Sequence, residues 1–154
     1  MSNPRKIINK MFDQDAFSQW LGIKIVEVSE GNCQLQMPVR SEMLNGFQIA
    51  HGGIAYSLAD SALAFASNSH GRKSLSVETS ISHTVSVKEG DILTATTEEL
   101  SLSDKIGVYL IIEDLNSKKL GAFRLTNITN SKINYHSLIC IPEIKPNIVL
   151  FLIL

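Results

Sequence analysis

The segment GGIAYSLADSALAFASNS, residues 52–69, limits the fold of this chain more than any other. Its apolar side chains recur at helical spacing in two adjoining stripes, Ile54, Leu58, Ala62 and Phe65 in one and Ala55, Ala59, Leu63 and Ala66 in the other. A helix that is apolar over most of its circumference is buried on several sides. The sequence therefore predicts a central helix that the rest of the chain covers.

Hydrophobic periodicity predicts the elements around this helix. A helix is predicted over residues 4–21, with Gly22 as its C-terminal cap, and a two-stranded hairpin over residues 23–39. After the central helix, strands spaced as an antiparallel meander are predicted over residues 74–83, 91–101, 106–116 and from about Lys119. This order predicts an α+β fold in which an antiparallel sheet wraps one long central helix.

Length, charge and cysteine content exclude several classes of protein. A chain of 154 residues is long enough for one domain with a real core, and a net charge of −1 is not that of a nucleic-acid binder. Two cysteines, Cys33 and Cys140, predict neither a disulfide framework nor a zinc site. Without an apolar leader or a run of about 20 apolar residues, we expect a cytoplasmic protein with no membrane partner.

Two glycines, Gly52 and Gly53, open the central helix, although glycine is a poor helix former. The first N–H groups of a helix lack intrahelical acceptors and carry partial positive charge, and glycine lets a ligand approach them. This end can therefore polarise a carbonyl group. A tight turn into the helix, with no ligand, is the alternative.

Asp60 is the acidic residue within this apolar helix. It lies eight residues after Gly52, ~12 Å along the helix axis, so one chain cannot easily bring both to the same carbonyl. Two such helices packed antiparallel across a dimer could do so. A carboxylate in an apolar seam gains a raised pKa, which suits a general base or a nucleophile. An aspartate on the helix surface is the alternative.

Asn45 and His51 flank the loop before the helix. Asn45 either adopts a left-handed turn conformation or orients a water molecule or a bound carbonyl. His51 can donate a hydrogen bond to a ligand or to the loop. The four histidines lack metal-ligand spacing, and the chain lacks serine-hydrolase, Walker and dinucleotide-binding motifs. We therefore expect no metal.

The segment LNGFQIAHGGIAYSLADSALAFASNS resembles the PaaI-type acyl-CoA thioesterases of the hotdog fold, a family linked to phenylacetic acid degradation. The pattern consists of Asn45, His51-Gly52-Gly53 and Asp60, and the similarity spans residues 5–124 through EGDILTATTEEL and IGVYLIIEDLNSKKLGAFR. The resemblance implies an antiparallel sheet around one long helix. It also implies a homodimer or homotetramer with active sites at the subunit interface.

The resemblance further implies hydrolysis of an acyl-CoA thioester, of an aryl-acetyl or similar small acyl group, to the free acid and coenzyme A. It places the carbonyl at the N–H of Gly52 and makes Asp60 of the neighbouring subunit a general base or nucleophile. Asn45 and His51 would position the thioester or water. Ser76 is matched to a serine that assists the carboxylate, an outward-facing polar strand residue being the alternative.

The resemblance also implies that Gly53, Phe47, Ile54 and Leu58 contribute to substrate binding. Coenzyme A would be part of the substrate, so no separate cofactor is expected. A non-catalytic acyl-CoA or acyl-carrier binding protein with the same fold is the alternative function.

The resemblance ends at residue 124. Residues 125–154 are rich in Ile, Leu and Asn and end in IVLFLIL. We therefore predict a thioesterase domain over 1–124 and an atypical tail over 125–154, which is either the product of a shifted reading frame or a genuine extension.

Overall fold

The computed structural model describes residues 3–116 in full and residues 118–129 as backbone. The elements, in chain order, are α1 (Pro4–Phe12), α2 (Ala16–Leu21), β1 (Lys24–Ser29), β2 (Asn32–Pro38), a 3₁₀ turn (Ser41–Met43), α3 (Gly52–Asn68), β3 (Ser74–Ser80), β4 (Ile92–Leu102), β5 (Ile106–Leu115) and β6 (Lys118–Thr129). The α+β class and the long central helix are confirmed.

The six strands form one antiparallel sheet, in the order β1-β2-β4-β5-β6-β3, and α3 packs on one face of it. Alternate residues of the strands point to that face, as the period of a strand requires. The buried hydrophobic side chains of the central strands are Cys33, Leu35, Met37, Leu93, Ala95, Tyr109 and Ile111. Phe12 of α1 packs edge-on against Phe65 of α3, with ring centroids 6.2 Å apart. The apolar circumference of α3 is thus covered by the sheet and by α1.

The prediction of a single helix over residues 4–21 is wrong, because the helix ends at Phe12 and a second helix begins at Ala16. The carboxylate of Asp15 accepts a hydrogen bond from the N–H of Ser18 at 2.9 Å and so caps α2. An aspartate at this position starts a new helix, and the apolar spacing continues across the break, which is why it suggested one helix. Gly22 ends α2 with a φ of 75°, as predicted.

The predicted meander is wrong for its first strand. β4, β5 and β6 pair in sequence order, but β3 pairs with β6 at the far edge of the sheet, and β4 pairs with β2. The spacing of strands along a sequence does not reveal such a crossover, because the order in which strands pair depends on how they pack around α3. The crossover leaves β3 as an edge strand with one unpaired side.

The predicted tail lies mostly outside the described residues. Strand β6 crosses the predicted boundary at residue 124 and reaches Thr129. Residues 130–154 and Cys140 lie beyond the described residues, so both explanations of the tail stay predictions. Within the described residues, no helix is long and apolar enough to span a membrane.

A carboxylate lies in the core of the fold. Glu113, on the core-facing side of β5, is fully buried. Neither of its oxygens has a hydrogen-bond partner among the residues whose side chains are described. Burial raises the pKa of Glu113 to about 8, so the group is neutral at lower pH.

This burial makes stability depend on pH. The Glu113 carboxyl has an ordinary pKa of 4.5 when solvated and a pKa of about 8 in the fold. Between these values the folded chain holds a proton that the unfolded chain has lost, so the free energy of unfolding falls as pH rises. We expect Glu113→Gln to reduce the fall between about pH 5 and about pH 8.5 by roughly 3–5 kcal/mol.

Urea unfolding at a series of pH values measures this difference. Glu98→Gln, at an exposed position of β4, is the control for the loss of one carboxylate. Equal pH dependence in the wild type and Glu113→Gln would show that the carboxyl ionises in the fold as it does in water.

Candidate active site

The start of α3 holds three of the predicted site residues. His51 is the N-cap, and its Nδ1 accepts a hydrogen bond from the N–H of Gly53 at 3.0 Å. Because Nδ1 is the acceptor, the proton of the neutral ring is on Nε2. The N–H of Gly52 is the first of the helix and has no acceptor within it. The N–H of Gly53 is therefore already hydrogen-bonded to the cap, whereas the N–H of Gly52 can donate to a ligand.

The loop before α3 is held in shape by Asn45. Its Oδ1 accepts a hydrogen bond from the N–H of Phe47 at 2.8 Å, and its own N–H donates to the carbonyl of Ile49 at 2.8 Å. The left-handed conformation considered for Asn45 occurs instead at Gln48, with a φ of 59°. Asn45 is thus a turn-forming residue through its side-chain oxygen, and its NH₂ group remains a candidate donor.

Asp60 lies half-buried on α3, and the side chain of Ser76 on β3 hydrogen-bonds to its carboxylate. One turn away, the hydroxyls of Tyr56 and Thr79 are 2.6 Å apart and make a second link between α3 and β3. Burial is the main cause that raises the pKa of Asp60; the Ser76 hydrogen bond lowers it, and the charge of Asp15 raises it. A raised pKa suits a carboxylate that must accept a proton.

The two halves of the candidate site lie at different points of one helix. Gly52 and Asp60 both belong to the uninterrupted helix α3, ~12 Å apart along its axis. The structure brings His51, Gly52 and Gly53 together at one point and Asp60 and Ser76 together at another. A single chain does not join the two groups around one substrate atom.

The predicted substrate-binding side chains do not share one surface of the chain. Phe47 is 86% exposed, Ile54 is half-buried, and Leu58 is fully buried in the core. Leu58 therefore supports the packing of α3 in this chain. The substrate-binding roles of the three residues stay predictions.

Two residues near the site, His83 and Asp15, belong to no sequence motif that predicts a role there. The imidazole of His83 lies against the helix start, so that a Cβ at Gly52 would come within 3.1 Å of its Nε2. Asp15 acts on Asp60 through its charge. Both residues are far from Gly52 and Asp60 in the sequence, and tertiary folding brings them near the site. The role of Asp15 as an N-cap can be recognised in the sequence, because aspartate is a preferred residue at that position.

Thiol and metal chemistry find no support among the described residues. Cys33 is buried, and burial raises its pKa to about 12, so it is a thiol rather than a reactive thiolate. Within residues 3–116 and 118–129, no group of three or more His, Cys, Asp or Glu side chains is placed to hold a metal ion.

Comparison with known proteins shows the family to which the chain belongs. The thioesterase superfamily model matches residues 47–112, which include α3, β3, β4 and most of β5. The acyl-coenzyme A thioesterase PaaI of Escherichia coli is 38% identical over 115 residues, which are 74% of this chain and 82% of that protein. The chain belongs to the thioesterase superfamily. A putative esterase of Archaeoglobus fulgidus is 37% identical over 115 residues, 75% of each chain.

Solved structures of similar proteins agree with the fold. The structure of the E. coli PaaI protein from the phenylacetic acid degradation operon superimposes with a TM-score of 0.82 at 33% identity, covering 84% of this chain and 94% of that chain. The TT0310 protein of Thermus thermophilus gives a TM-score of 0.72 at 30% identity, covering 74% and 97%. The resemblance and the hotdog fold predicted from the sequence are confirmed.

The contact between Ser76 and Asp60 can be tested directly. We expect Ser76→Ala to raise the pKa of Asp60 further, because the lost hydrogen bond favours the ionised carboxylate. An NMR titration of carboxyl-labelled aspartate measures this pKa. The matched control is Thr79→Val, which removes the neighbouring link to Tyr56 and should leave the pKa of Asp60 unchanged. A pKa that stays the same in Ser76→Ala contradicts the assigned contact.

Proposed function

We propose that this protein is an acyl-CoA thioesterase that hydrolyses a small acyl-CoA to the carboxylic acid and free coenzyme A. The observation that carries the proposal is Asp60, a half-buried carboxylate of raised pKa that Ser76 holds by a hydrogen bond. The E. coli relative, described as an acyl-coenzyme A thioesterase, supports the substrate class. Binding alone does not need such a carboxylate, so catalysis is favoured over a non-catalytic acyl-CoA binding protein.

The proposed reaction uses the start of α3 to stabilise negative charge. The thioester carbonyl oxygen accepts a hydrogen bond from the N–H of Gly52, where the positive end of the helix favours the oxyanion that forms during attack. The Nε2–H of His51 and the NH₂ of Asn45 are candidate donors that position the thioester or the water. Gly53 contributes by fixing His51.

Asp60 supplies the other half of the reaction. As a general base, it takes a proton from water while the water oxygen bonds to the carbonyl carbon. The C–S bond then breaks, the thiolate of coenzyme A leaves, and Asp60 returns the proton to the thiolate. Attack by Asp60 itself, through a mixed anhydride that water hydrolyses, is the second route. The proposed reaction needs no cofactor, because coenzyme A belongs to the substrate.

The distance between the two halves supports a site shared by two subunits. The ~12 Å that separates Gly52 from Asp60 along α3 is bridged when Asp60 of the partner subunit meets Gly52. The free edge of β3, with Leu75 60% exposed and Val77 38% exposed, is suited to pairing with a second copy. We therefore propose a homodimer as the catalytic unit, and a homotetramer formed from two such dimers.

The acyl group is proposed from the relatives. The source of the E. coli structure in the phenylacetic acid degradation operon favours an aryl-acetyl group such as phenylacetyl. Phe47, Ile54 and Leu58 do not distinguish a phenyl ring from a short alkyl chain. The cytoplasmic location stays a prediction.

The role of Asp60 is tested by measuring thiol release from phenylacetyl-, butyryl- and palmitoyl-CoA. We expect Asp60→Asn to lower kcat at least ~100-fold with little change in KM, because the amide cannot accept a proton from water. Asp13→Asn, an exposed aspartate at the end of α1, is the matched control. Full activity in Asp60→Asn would overturn the proposed role, and tight binding without hydrolysis by the wild type would favour the binding protein.

Sharing of the site is tested by mixing two inactive variants. Gly52→Pro removes the first N–H of α3 at a helix position that accepts proline, although the ring of His83 must give way. Co-expression of Gly52→Pro with Asp60→Asn produces mixed dimers with one intact site each. We expect about one quarter of the wild-type activity, since half of the dimers are mixed. No recovery from a sample that contains folded mixed dimers would place each site within one chain.

A further inference from the structure

We propose that His83 is a further catalytic residue: the Nε2–H of its imidazole donates a hydrogen bond to the same thioester oxygen as the N–H of Gly52. His83 follows β3 in the chain and lies outside the motif that runs from Asn45 to Asp60. This role rests on the proposed function. The contact between His83 and Gly52 concerns the fold alone.

The tip of the His83 imidazole occupies the space that a side chain at position 52 would need. A Cβ atom added to Gly52 would lie 3.1 Å from Nε2 of His83, 3.4 Å from Cε1 and 3.7 Å from Cδ2. The nearest atom is thus a nitrogen at the far end of the ring. Glycine lets another group approach the backbone closely, and at Gly52 that group is an imidazole nitrogen.

The direction of this contact places Nε2 where a ligand of the Gly52 N–H would lie. In an α-helix the Cα–Cβ bond tilts toward the N-terminus, and the N–H groups point the same way. A group that takes the place of a Cβ at Gly52 therefore lies on the same side of the helix end as an acceptor of the Gly52 N–H. An oxygen bound to that N–H has the His83 nitrogen as its neighbour.

The segment that carries His83 is held on both sides of the ring. Ile81 packs against the hydrophobic core, and Val87 is buried in it. The carbonyl of Val87 accepts a hydrogen bond from the N–H of Ala50 at 2.8 Å. Ala50 lies two residues before Gly52, so the loop that leads into α3 is bonded to the segment that carries the imidazole. Packing and a backbone hydrogen bond therefore fix His83 beside the start of α3.

The ring nitrogens of His83 are available for a ligand. The other described histidines use their rings within the fold. His51 caps α3 through Nδ1, and the two ring nitrogens of His70 face the carboxylates of Glu30 and Glu99. His83 is exposed, and its ring has no hydrogen-bond partner in the part of the chain that the structure describes. A neutral imidazole carries one N–H, and with the proton on Nε2 that donor is the atom nearest to Gly52.

A second donor at this point stabilises the negative charge that forms during hydrolysis. When water attacks the thioester, an electron pair of the C=O bond moves to the oxygen, which accepts hydrogen bonds from the Gly52 N–H and the His83 Nε2–H. The electron pair returns to the C=O bond when the C–S bond breaks. The His83 proton stays on Nε2 throughout, so His83 forms no covalent bond and transfers no proton.

Two substitutions separate donation from shape. His83→Phe keeps an aromatic ring of similar size and removes the donor. His83→Gln removes the ring and keeps an N–H donor at the end of a side chain of similar reach. If the ring only shaped the site, the phenylalanine variant would keep its activity and the glutamine variant would lose it. If His83 is a donor, the order is reversed.

The kinetic experiment measures thiol release from phenylacetyl-CoA by the full-length protein. Removal of one donor from an oxyanion site costs about 10²–10³-fold in kcat, and an exposed donor contributes less, so we expect His83→Phe to lower kcat at least ~10-fold with little change in KM. We expect His83→Gln to retain most of the wild-type kcat. Wild-type kcat in His83→Phe, or an equal loss in His83→Gln, would overturn the proposal.

The contact itself is tested without substrate by NMR of the imidazole nitrogens in protein labelled with ¹⁵N-histidine. Gly52→Ala keeps the amide N–H and adds the Cβ that would meet the ring. We expect this variant to shift the Nε2 signal of His83 and to leave the signals of His70 unchanged. An unchanged His83 signal in folded Gly52→Ala would contradict the contact on which the proposal depends.

The same NMR signals report on the ligand. The probe is an analogue of phenylacetyl-CoA in which a methylene group replaces the thioester sulfur, so that the carbonyl remains. We expect saturation of the wild type to shift the Nε2 signal of His83. An unchanged signal in the saturated protein overturns the role of His83 and leaves the proposed function standing. If the wild type binds the analogue with this shift and hydrolyses no acyl-CoA, the proposed function fails and His83 remains a donor to the bound carbonyl. Failure of the analogue to bind overturns both.

Discussion

The burial of α3 against one face of the sheet is the constraint on which the other features depend. A helix this apolar must be covered, and the sheet together with α1 covers it. A helix fixed in this way also fixes the positions of its polar groups. The N–H of Gly52 and the carboxylate of Asp60 cannot approach each other, because the two residues are ~12 Å apart along the axis of one continuous helix. The packing that stabilises the fold is therefore also the reason that the proposed site needs two subunits.

Among the described residues, two carboxylates have raised pKa values, for different reasons. Glu113 is fully buried in the core with no described hydrogen-bond partner, and burial alone raises its pKa to about 8. Asp60 is half-buried, with Ser76 as its hydrogen-bond donor and Asp15 as a neighbouring charge. Of these two, Asp60 combines access to solvent, a hydrogen-bond partner and a raised pKa. A raised pKa alone therefore does not mark a catalytic carboxylate, and the role proposed for Asp60 rests on its raised pKa together with a hydrogen-bond partner and access to solvent.

The sequence predicted the features that local patterns determine. The stripes of α3, the start of that helix at Gly52 and the cap at Gly22 depend on residues that are close together in the chain. The break before Asp15 was missed, because apolar spacing continued through it and a single capping bond decided the outcome. The crossover of β3 to the far edge depends on tertiary packing, which strand spacing does not encode. The places of Asp15 and His83 near the site depend on tertiary packing too.

The central claim is that one active site is built from Gly52 of one subunit and Asp60 of the other. The most direct test is a crystal structure with an acyl-CoA analogue in which a methylene group replaces the thioester sulfur, so that the carbonyl remains but cannot be hydrolysed. We expect the carbonyl oxygen within hydrogen-bond distance of the Gly52 N–H, with Asp60 of the partner subunit as the nearest carboxylate. A carbonyl bound away from the start of α3, or beside Asp60 of the same chain, would contradict the account.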